Sequence, residues 1–305
     1  MIRSITVTNY LGEGIKLDLE KPGLSGFIVK SITGLSSGKA TINVTEAATS
    51  DGAFYNSARL STRNIVITLQ YLGKPTTIEE ARHLSYRYFP IKKKVTLLFE
   101  TDTRLAQIEG YVESNEIDIF SKEEGSDISI ICPNPFFYSA GENGTQITVF
   151  SGIEPMFEFP FSNESLTESL LEMGAIKNRT SSVVLYDGDS EIGVKINIYA
   201  LGEATNISIY NSTTRQTMVI DTDKIQTLTG SGIVAGDEIS ISTLKEKKSI
   251  TLLRKGVTTN ILNCLDKNTD WFHLVKGENV FAYDAETGAN NLQFRIENQT
   301  IYEGV

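Results

Sequence analysis

The feature that most constrains this chain is alternation. Apolar and polar residues take turns in short runs: Ile2 to Thr8, Ile28 to Ile32, Thr41 to Val44, Ile65 to Leu69, Val95 to Phe99, Ile117 to Phe120 and Ile128 to Ile131. Period two places successive side chains on opposite faces, so each run specifies a strand with one buried side. The pattern continues through Met156 to Phe161, Val183 to Tyr186, Val194 to Tyr199, Ile207 to Tyr210, Met218 to Ile220, Glu238 to Ser242, Ser249 to Leu253, Asn279 to Tyr283 and Asn291 to Ile296. Turn signals at Asp187-Gly188, Gly236-Asp237 and Thr287-Gly288 punctuate it, a rhythm that predicts a β-sandwich. Leu166 to Met173 reads as a helical turn or two within this part.

One helix interrupts the strands of the first part. Thr76-Thr77-Ile78-Glu79 has the form of a capping box, with a hydroxyl for the first free N–H groups and a carboxylate three residues on. Ile78, Ala81, Ser85 and Tyr88 then share a face, and Pro90 ends the helix. The expected class is therefore mainly β: an α+β unit with one helix on its sheets, followed by a sandwich.

A chain of 305 residues suits two domains better than one core. The break falls at ICPNPFFYSAG, residues 131–141. Pro133 and Pro135 lack the N–H a sheet ladder needs, so pairing stops near Cys132. Phe136, Phe137 and Tyr138 follow at once and are too apolar to leave in water, which predicts that they fill a junction between domains. Charge supports the boundary. Residues 1–135 hold 15 Lys+Arg and 16 Asp+Glu, net −1; residues 136–305 hold 13 and 22, net −9. The expected organisation is 1–135, a junction at 136–140, and 141–305. Between Ser36 and Ser61 the chain is rich in Ser, Thr, Ala and Gly and has little to bury, as suits a mobile segment or an arm ordered by a neighbour.

Residues that carry chemistry are sparse. GLSSGKA at Gly34 to Ala40 is one residue short of a phosphate loop, has Ala40 in the hydroxyl position and precedes no helix. His83 and His273 have no local partners at ligand spacing, and there is no nucleophile elbow. Asp187 to Glu191 reads as a hairpin turn with solvated acids rather than a calcium loop. Lys92-Lys93-Lys94 reads as a solvated loop, and a net charge of −10 argues against a nucleic-acid footprint. Cys132 and Cys264 sit in apolar runs as buried thiols. Asn43, Asn143, Asn163, Asn178, Asn206, Asn211 and Asn298 open Asn-X-Ser/Thr triplets, but MIRSITVTNYLGEG lacks a signal core, which predicts folding in a cytoplasm. No apolar run is long enough to span a membrane. Trp271 lies against Phe272, Leu274 and Val275, in the manner of a buried strand or turn.

In order and spacing, several segments resemble the distal tail proteins of siphophages. They are GFIVKSITGL, DGAFYNSARLSTRNIVITLQYL, HLSYRYF, GYVE at Gly110 to Glu113, ICPNPFFYS, EPMFEFPFSNESL, VVLYDGDSEIGVKINIYALG, IYNSTTRQTM, GDEISIST, WFHLVKGENVFAYDAETGANNLQFRI and a closing YEGV. At the break, Asn134 stands where that family usually has an acid. The resemblance implies a hexameric ring built from the first part and a galectin-like sandwich outside it. It implies a structural, non-catalytic role at the virion tail tip, joining the tail tube to the tail-tip hub and the receptor-binding apparatus while DNA passes. The implied partners are other copies of the chain, the major tail protein, the hub protein and receptor-binding proteins, with no cofactor, metal, membrane or specific nucleic acid. Pro133, Pro135, Phe136, Phe137 and Tyr138 would mark the family's domain junction. The alternative is a carbohydrate-binding adhesion module. Against it, the acidic second part and the apolar setting of Trp271 point to protein docking without a sugar site.

Overall fold

The structure, a computed structural model, describes residues 1–46, 48–49, 51–75, 77–141, 144–151, 153–155, 174–176, 180–245 and 247–305. The expected strand at Met156 to Phe161 and helix at Leu166 to Met173 lie outside the described residues. The chain forms two compact units, Met1–Gly144 with Ile301–Val305, and Thr145–Thr300. Residues 136–140 therefore fall inside the first unit.

The first unit contains β1 (Ile2–Thr8), β2 (Gly14–Asp18), β3 (Phe27–Thr33), β4 (Ala40–Glu46), β5 (Ala53–Leu60), β6 (Arg63–Tyr71), α1 (Ile78–Tyr88), β7 (Lys94–Thr101), β8 (Leu105–Asp118), β9 (Gly125–Cys132) and β10 (Phe137–Ser139). The second contains β11 (Thr145–Ser151), β12 (Ile153–Pro155), β13 (Gly174–Ile176), β14 (Ser181–Tyr186), β15 (Ile192–Gly193), β16 (Lys195–Ala200), β17 (Thr205–Asn211), β18 (Gln216–Ile220), α2 (Thr222–Thr229), β19 (Glu238–Ser242), β20 (Ser249–Arg254), β21 (Val257–Asn260), β22 (His273–Leu274), β23 (Gly277–Thr287) and β24 (Leu292–Gln299). The chain then returns to the first unit as β25 (Ile301–Tyr302).

In the first unit the sheet order is β2-β1-β7-β8-β9-β6-β3, with β10 pairing both β8 and β25. β8 is long because its first half pairs with β7 and its second with β9, across a register shift between Val112 and Ser114. The strand expected at Ile117 to Phe120 is the end of β8, which stops at Asp118 and leaves Phe120 fully exposed in the turn. Gly110 is fixed by packing: a Cβ there would lie 2.8 Å from the Cys132 Sγ and 2.6 Å from the Ile130 side chain. The core is the inward face of the alternation, including Ile5, Val7, Ile65, Ile67, Leu97, Phe99, Ile108, Ile128, Ile130 and Phe137.

α1 lies against this core through Ala81 and Ser85, and the Tyr71 hydroxyl donates to the Ser85 Oγ at 3.1 Å. The cap sits one residue later than the sequence suggests. Thr77 is the N-cap and Glu80, not Glu79, closes the box. Two adjacent threonines and two adjacent glutamates permit either frame.

At the other end of α1, Arg87 donates to Glu13 from Nε at 2.8 Å and from Nη2 at 2.5 Å, tying the helix to the β1–β2 turn. Asn9 supports the same carboxylate at 3.1 Å. The Arg87 bonds, helped by Asn9, hold the Glu13 pKa down to about 2.

The second unit has a six-stranded sheet, β11-β24-β16-β19-β20-β21, and a four-stranded sheet, β14-β23-β17-β18. Their inward residues include Ile196, Ile198, Ile239, Ile241, Phe281, Tyr283, Phe294 and Ile296. Tyr283 and Phe294 stack at 4.0 Å between centroids. α2, unforeseen in the sequence, is a two-turn helix capped by the Asp221 side chain and closed by Gly230 in the left-handed region. The expected hairpin at Asp187 to Glu191 is instead a loop between β14 and β15, which pair with β23 and β22 rather than each other. Arg254 donates to both carboxylate oxygens of the nearly buried Asp237, and to Thr229, Ser231 and Gly232, so that one guanidinium fixes the chain after α2.

Stability at low pH follows from Glu13. Its folded-state pKa lies below the ordinary value of 4.5, so the stabilisation is complete above that value and is lost as pH falls toward about 2. Denaturant midpoints measured from pH 6 to pH 2 are expected to fall more steeply for the natural protein than for Glu13→Gln. Parallel curves would exclude the pair as a source of acid sensitivity.

Candidate functional site

β3 and β6 are antiparallel neighbours, and the chain between them does not turn back directly. It runs out as the hairpin β4–β5, whose strands pair only with each other. Every residue of β4 and β5 is exposed except Leu60, which is half-buried. A lone two-stranded hairpin is marginal in water. This is the Ser36 to Ser61 arm anticipated from composition, and it is ordered as strands although β5 has no clear period-two signal.

The arm is two-faced. Register places Ile42 beside Ala58 and Val44 beside Tyr55 on one face, with Ala40 and Leu60 at its root. The other face carries Thr41, Asn43, Thr45, Ser57 and Arg59, joined by Asn43 Nδ2 to Ser57 Oγ at 3.0 Å; Phe54 lies on this side near the tip. Asn56 is the bulge residue, and its amide donates to the Thr45 hydroxyl at 2.6 Å. Ile42, Val44, Phe54 and Tyr55 are 60, 52, 65 and 66% exposed. Each contributes about 1.5–3 kcal/mol when fully buried, so the arm has much to gain from a partner.

The arm's root is held by Arg63, only 6% exposed at the first position of β6. Its Nε donates to the Pro135 carbonyl at 2.6 Å. Its Nη1 donates to Gly34 at 2.6 Å and Ser36 at 2.5 Å, and its Nη2 to Glu303 at 2.6 Å. The guanidinium lies 4.7 Å over the Phe137 ring. Gly34 is required here: its φ is +84° and a Cβ would fall 2.1 Å from the Asn64 carbonyl oxygen. The Val305 N–H donates to the Leu35 carbonyl at 3.1 Å, so residues 301–305 cover the root from the other side. Burial pushes the Arg63 pKa down, against the attraction of Cys132 and Glu303.

This geometry disposes of the phosphate-loop motif. A phosphate loop turns N–H groups toward an anion, whereas Gly34 and Ser36 turn carbonyl oxygens toward a cation.

The residues of the proline-aromatic break have separate roles. Pro133 and Asn134 are exposed. The Asn134 Oδ1 accepts from the Phe136 N–H at 3.2 Å and its amide donates to the Tyr138 hydroxyl at 2.7 Å, which makes the turn. Pro135 supplies its carbonyl to Arg63. Phe136 and Tyr138 are half-buried. Phe137 is fully buried in the core of the first unit, edge-on to Phe99 at 5.7 Å and paired with Tyr302. It is buried because the strand resumes after the turn and puts every second residue inward.

The other candidates from the sequence stay apart. His83 is exposed beside Glu79 at 3.9 Å. His273 meets the Gln216 amide through Nδ1 at 2.9 Å. Cys132 and Cys264 are buried and free, and burial pushes the Cys132 thiol up to about 11. Trp271 is half-buried under the Lys248 ammonium, 5.1 Å from its ring centre. Asn211 and Asn298 are buried, which is incompatible with a glycan on either. Among the described residues no cluster of His, Cys, Asp and Glu has the form of a metal site, and no helix is long and apolar enough to cross a membrane.

The fold is two mainly-β units, the first with an unpaired arm and one packed helix, and it is similar to the fold solved for a phage distal tail protein. The particular likeness is to SPP1 Dit (gp 19.1), described as a paradigm of the hub adsorption apparatus in phages infecting Gram-positive bacteria. It matches with a TM-score of 0.63 and 13% identity over 97% of this chain and 98% of that one. The phage P2 baseplate in its activated conformation, with Ca and with Sr, matches with a TM-score of 0.47 and 12% identity over 98% of each chain. No protein-family model and no curated protein matches the sequence.

Arg63→Lys removes the planar fork and leaves carbonyls of a buried site without donors, at about 1–3 kcal/mol each. Hydrogen exchange is expected to quicken at residues 34–37 and 301–305 and to stay unchanged in β16 and β24. Unaltered exchange at the arm root would show that the guanidinium does not hold it. Phe137→Ala is expected to cost the first unit about 3–5 kcal/mol in chemical denaturation, the range for an enclosed aromatic.

Proposed function

We propose that the protein is a structural component of a phage tail tip, where copies of the first unit close into a ring, most simply a hexamer, between the tail tube and the tail-tip hub. The observation that carries this reading is the arm, an ordered hairpin with an apolar face that its own chain leaves uncovered. A neighbouring copy is the natural cover, because an arm from one subunit onto a different surface of the next is a head-to-tail contact, which makes a ring when its rotation closes around an axis. The full-length likeness to SPP1 Dit supports the same reading.

In this role the protein acts by shape. The ring surrounds a channel for DNA, meets the major tail protein on one side and the hub protein on the other, and catalyses nothing. The second unit, with 13 Lys+Arg against 20 Asp+Glu in residues 145–300 and a net charge of −7, would dock basic surfaces of hub or receptor-binding proteins. Such docking weakens as salt rises.

Native mass spectrometry and negative-stain imaging, with tube and hub partners present, test the ring. Closed rings are expected for the natural chain. A variant with residues 39–60 replaced by a short Gly-Ser linker is expected to keep its fold and lose the ring. Rings that persist without the arm would move the interface elsewhere, and one copy per tail tip would end the reading.

A further inference from the structure

The outer face of the six-stranded sheet is more ordered than a wetted surface needs to be. Register places Arg295, Asn197, Ser240, Thr251 and Asn260 in one row across β24, β16, β19, β20 and β21. Beside it lies a second row, Gln293, Tyr199 and Glu238. On the other side Glu297 stands opposite Lys195.

The central side chains are bonded to one another. Arg295 Nε contacts the Glu297 Oε1 at 2.8 Å. Asn197 Nδ2 donates to the same oxygen at 3.4 Å, and Ser240 Oγ donates to the Asn197 Oδ1 at 2.8 Å. In water such a chain adds little stability, while fixing its rotamers costs entropy. Groups already fixed do give a ligand polar partners that need no further ordering. The Arg295 side chain is half-exposed, and among the described residues it has no other bonded partner.

Tyr199 completes the arrangement. It lies two residues along β16 from Asn197, on the same face, and is 44% exposed. A phenol held on a sheet offers a flat apolar platform with a polar rim. A pyranose presents the complementary surface, one C–H face and a rim of hydroxyls. We propose that Tyr199, Asn197, Arg295 and Gln293 form a weak binding site for a neutral saccharide, with the sugar stacked on Tyr199 and its hydroxyls bonded to the amides and guanidinium. Neutrality follows from the net charge of −7 on this unit, which repels a polyanion, while on the face itself Glu238 and Glu297 are balanced by Arg295 and Lys195. This goes beyond the assembly role and does not depend on it. It also departs from the expectation that the second part has no sugar site: Trp271, the residue that expectation examined, is capped by Lys248, whereas Tyr199 is open.

The test uses the full-length protein and defined probes: the methyl glycosides of glucose, galactose, rhamnose and N-acetylglucosamine, with a glycerol-phosphate polymer as the anionic comparison. Saturation-transfer NMR and calorimetry are expected to show saturable binding of at least one neutral glycoside, with a Kd on the order of 1 mM. Tyr199→Ala and Arg295→Ala should each weaken it at least about tenfold without lowering the melting temperature, while Tyr199→Phe and Trp271→Ala leave it unchanged. No saturable binding to any neutral glycoside, binding to the polyanion alone, or loss of binding in Trp271→Ala would each overturn the proposal.

Discussion

The first unit depends on one buried cation. Arg63 joins four main-chain carbonyls from the two sides of the arm root's first turn, the proline turn and the C-terminal strand. None of these segments carries a long ladder at that point: prolines interrupt one, a left-handed glycine turns another, and the third is a two-residue strand. Irregular backbone at a buried position needs donors for its carbonyls, and a single arginine supplies them in a fixed plane. The core beneath can form from alternation alone, but the direction in which the arm leaves it is set by this residue.

That division of labour recurs in the second unit. The two sheets form from inward isoleucines and aromatics, and Arg254 then fixes the irregular chain between α2 and β19 through Asp237 and three neighbouring residues. In each unit the apolar pattern makes the layers, and one arginine positions what the layers cannot. The surfaces left over differ in kind. The arm offers apolar residues that water does not solvate, while the outer face of the six-stranded sheet offers polar groups already bonded in place.

The strands were legible because burial on one face imprints period two directly on the chain. Their ends were less so, and the reasons are local. The capping box slipped by one because Thr77 and Glu80 share their identity with their neighbours. α2 was missed because two turns give too few inward positions to show a period of 3.6. β8 looked shorter than it is because its residues change partners midway and its outward positions carry Glu and Asn. The arm was visible as a composition, but not as a hairpin, since with both faces exposed nothing forces alternation on β5. The aromatic cluster was expected to fill a junction between domains; of its three residues Phe137 is fully buried, while Phe136 and Tyr138 are half-buried. What the sequence could not reveal was that Phe137 finds cover inside the first unit, because its partners Phe99 and Tyr302 lie far away along the chain. The Tyr199 face was hidden for the same reason: it is assembled from strands separated by scores of residues, and no local motif marks it.

The return of β25 to β10 makes the second unit an insertion, entered after Gly144 and left before Ile301. Synthesis therefore delivers the first unit in two instalments. A nascent chain can lay down β1 to β10 early, but the carbonyl of Glu303 and the pairing of Ile301 and Tyr302 arrive only after some 150 intervening residues have been made. Until then the arm root lacks one of its four ligands to Arg63 and the donor to Leu35. A truncated chain thus has a core without a finished arm. The topology sets an order of completion: the root of the arm is finished last, after the insertion has been made and residues 301–305 have reached Arg63 and Leu35.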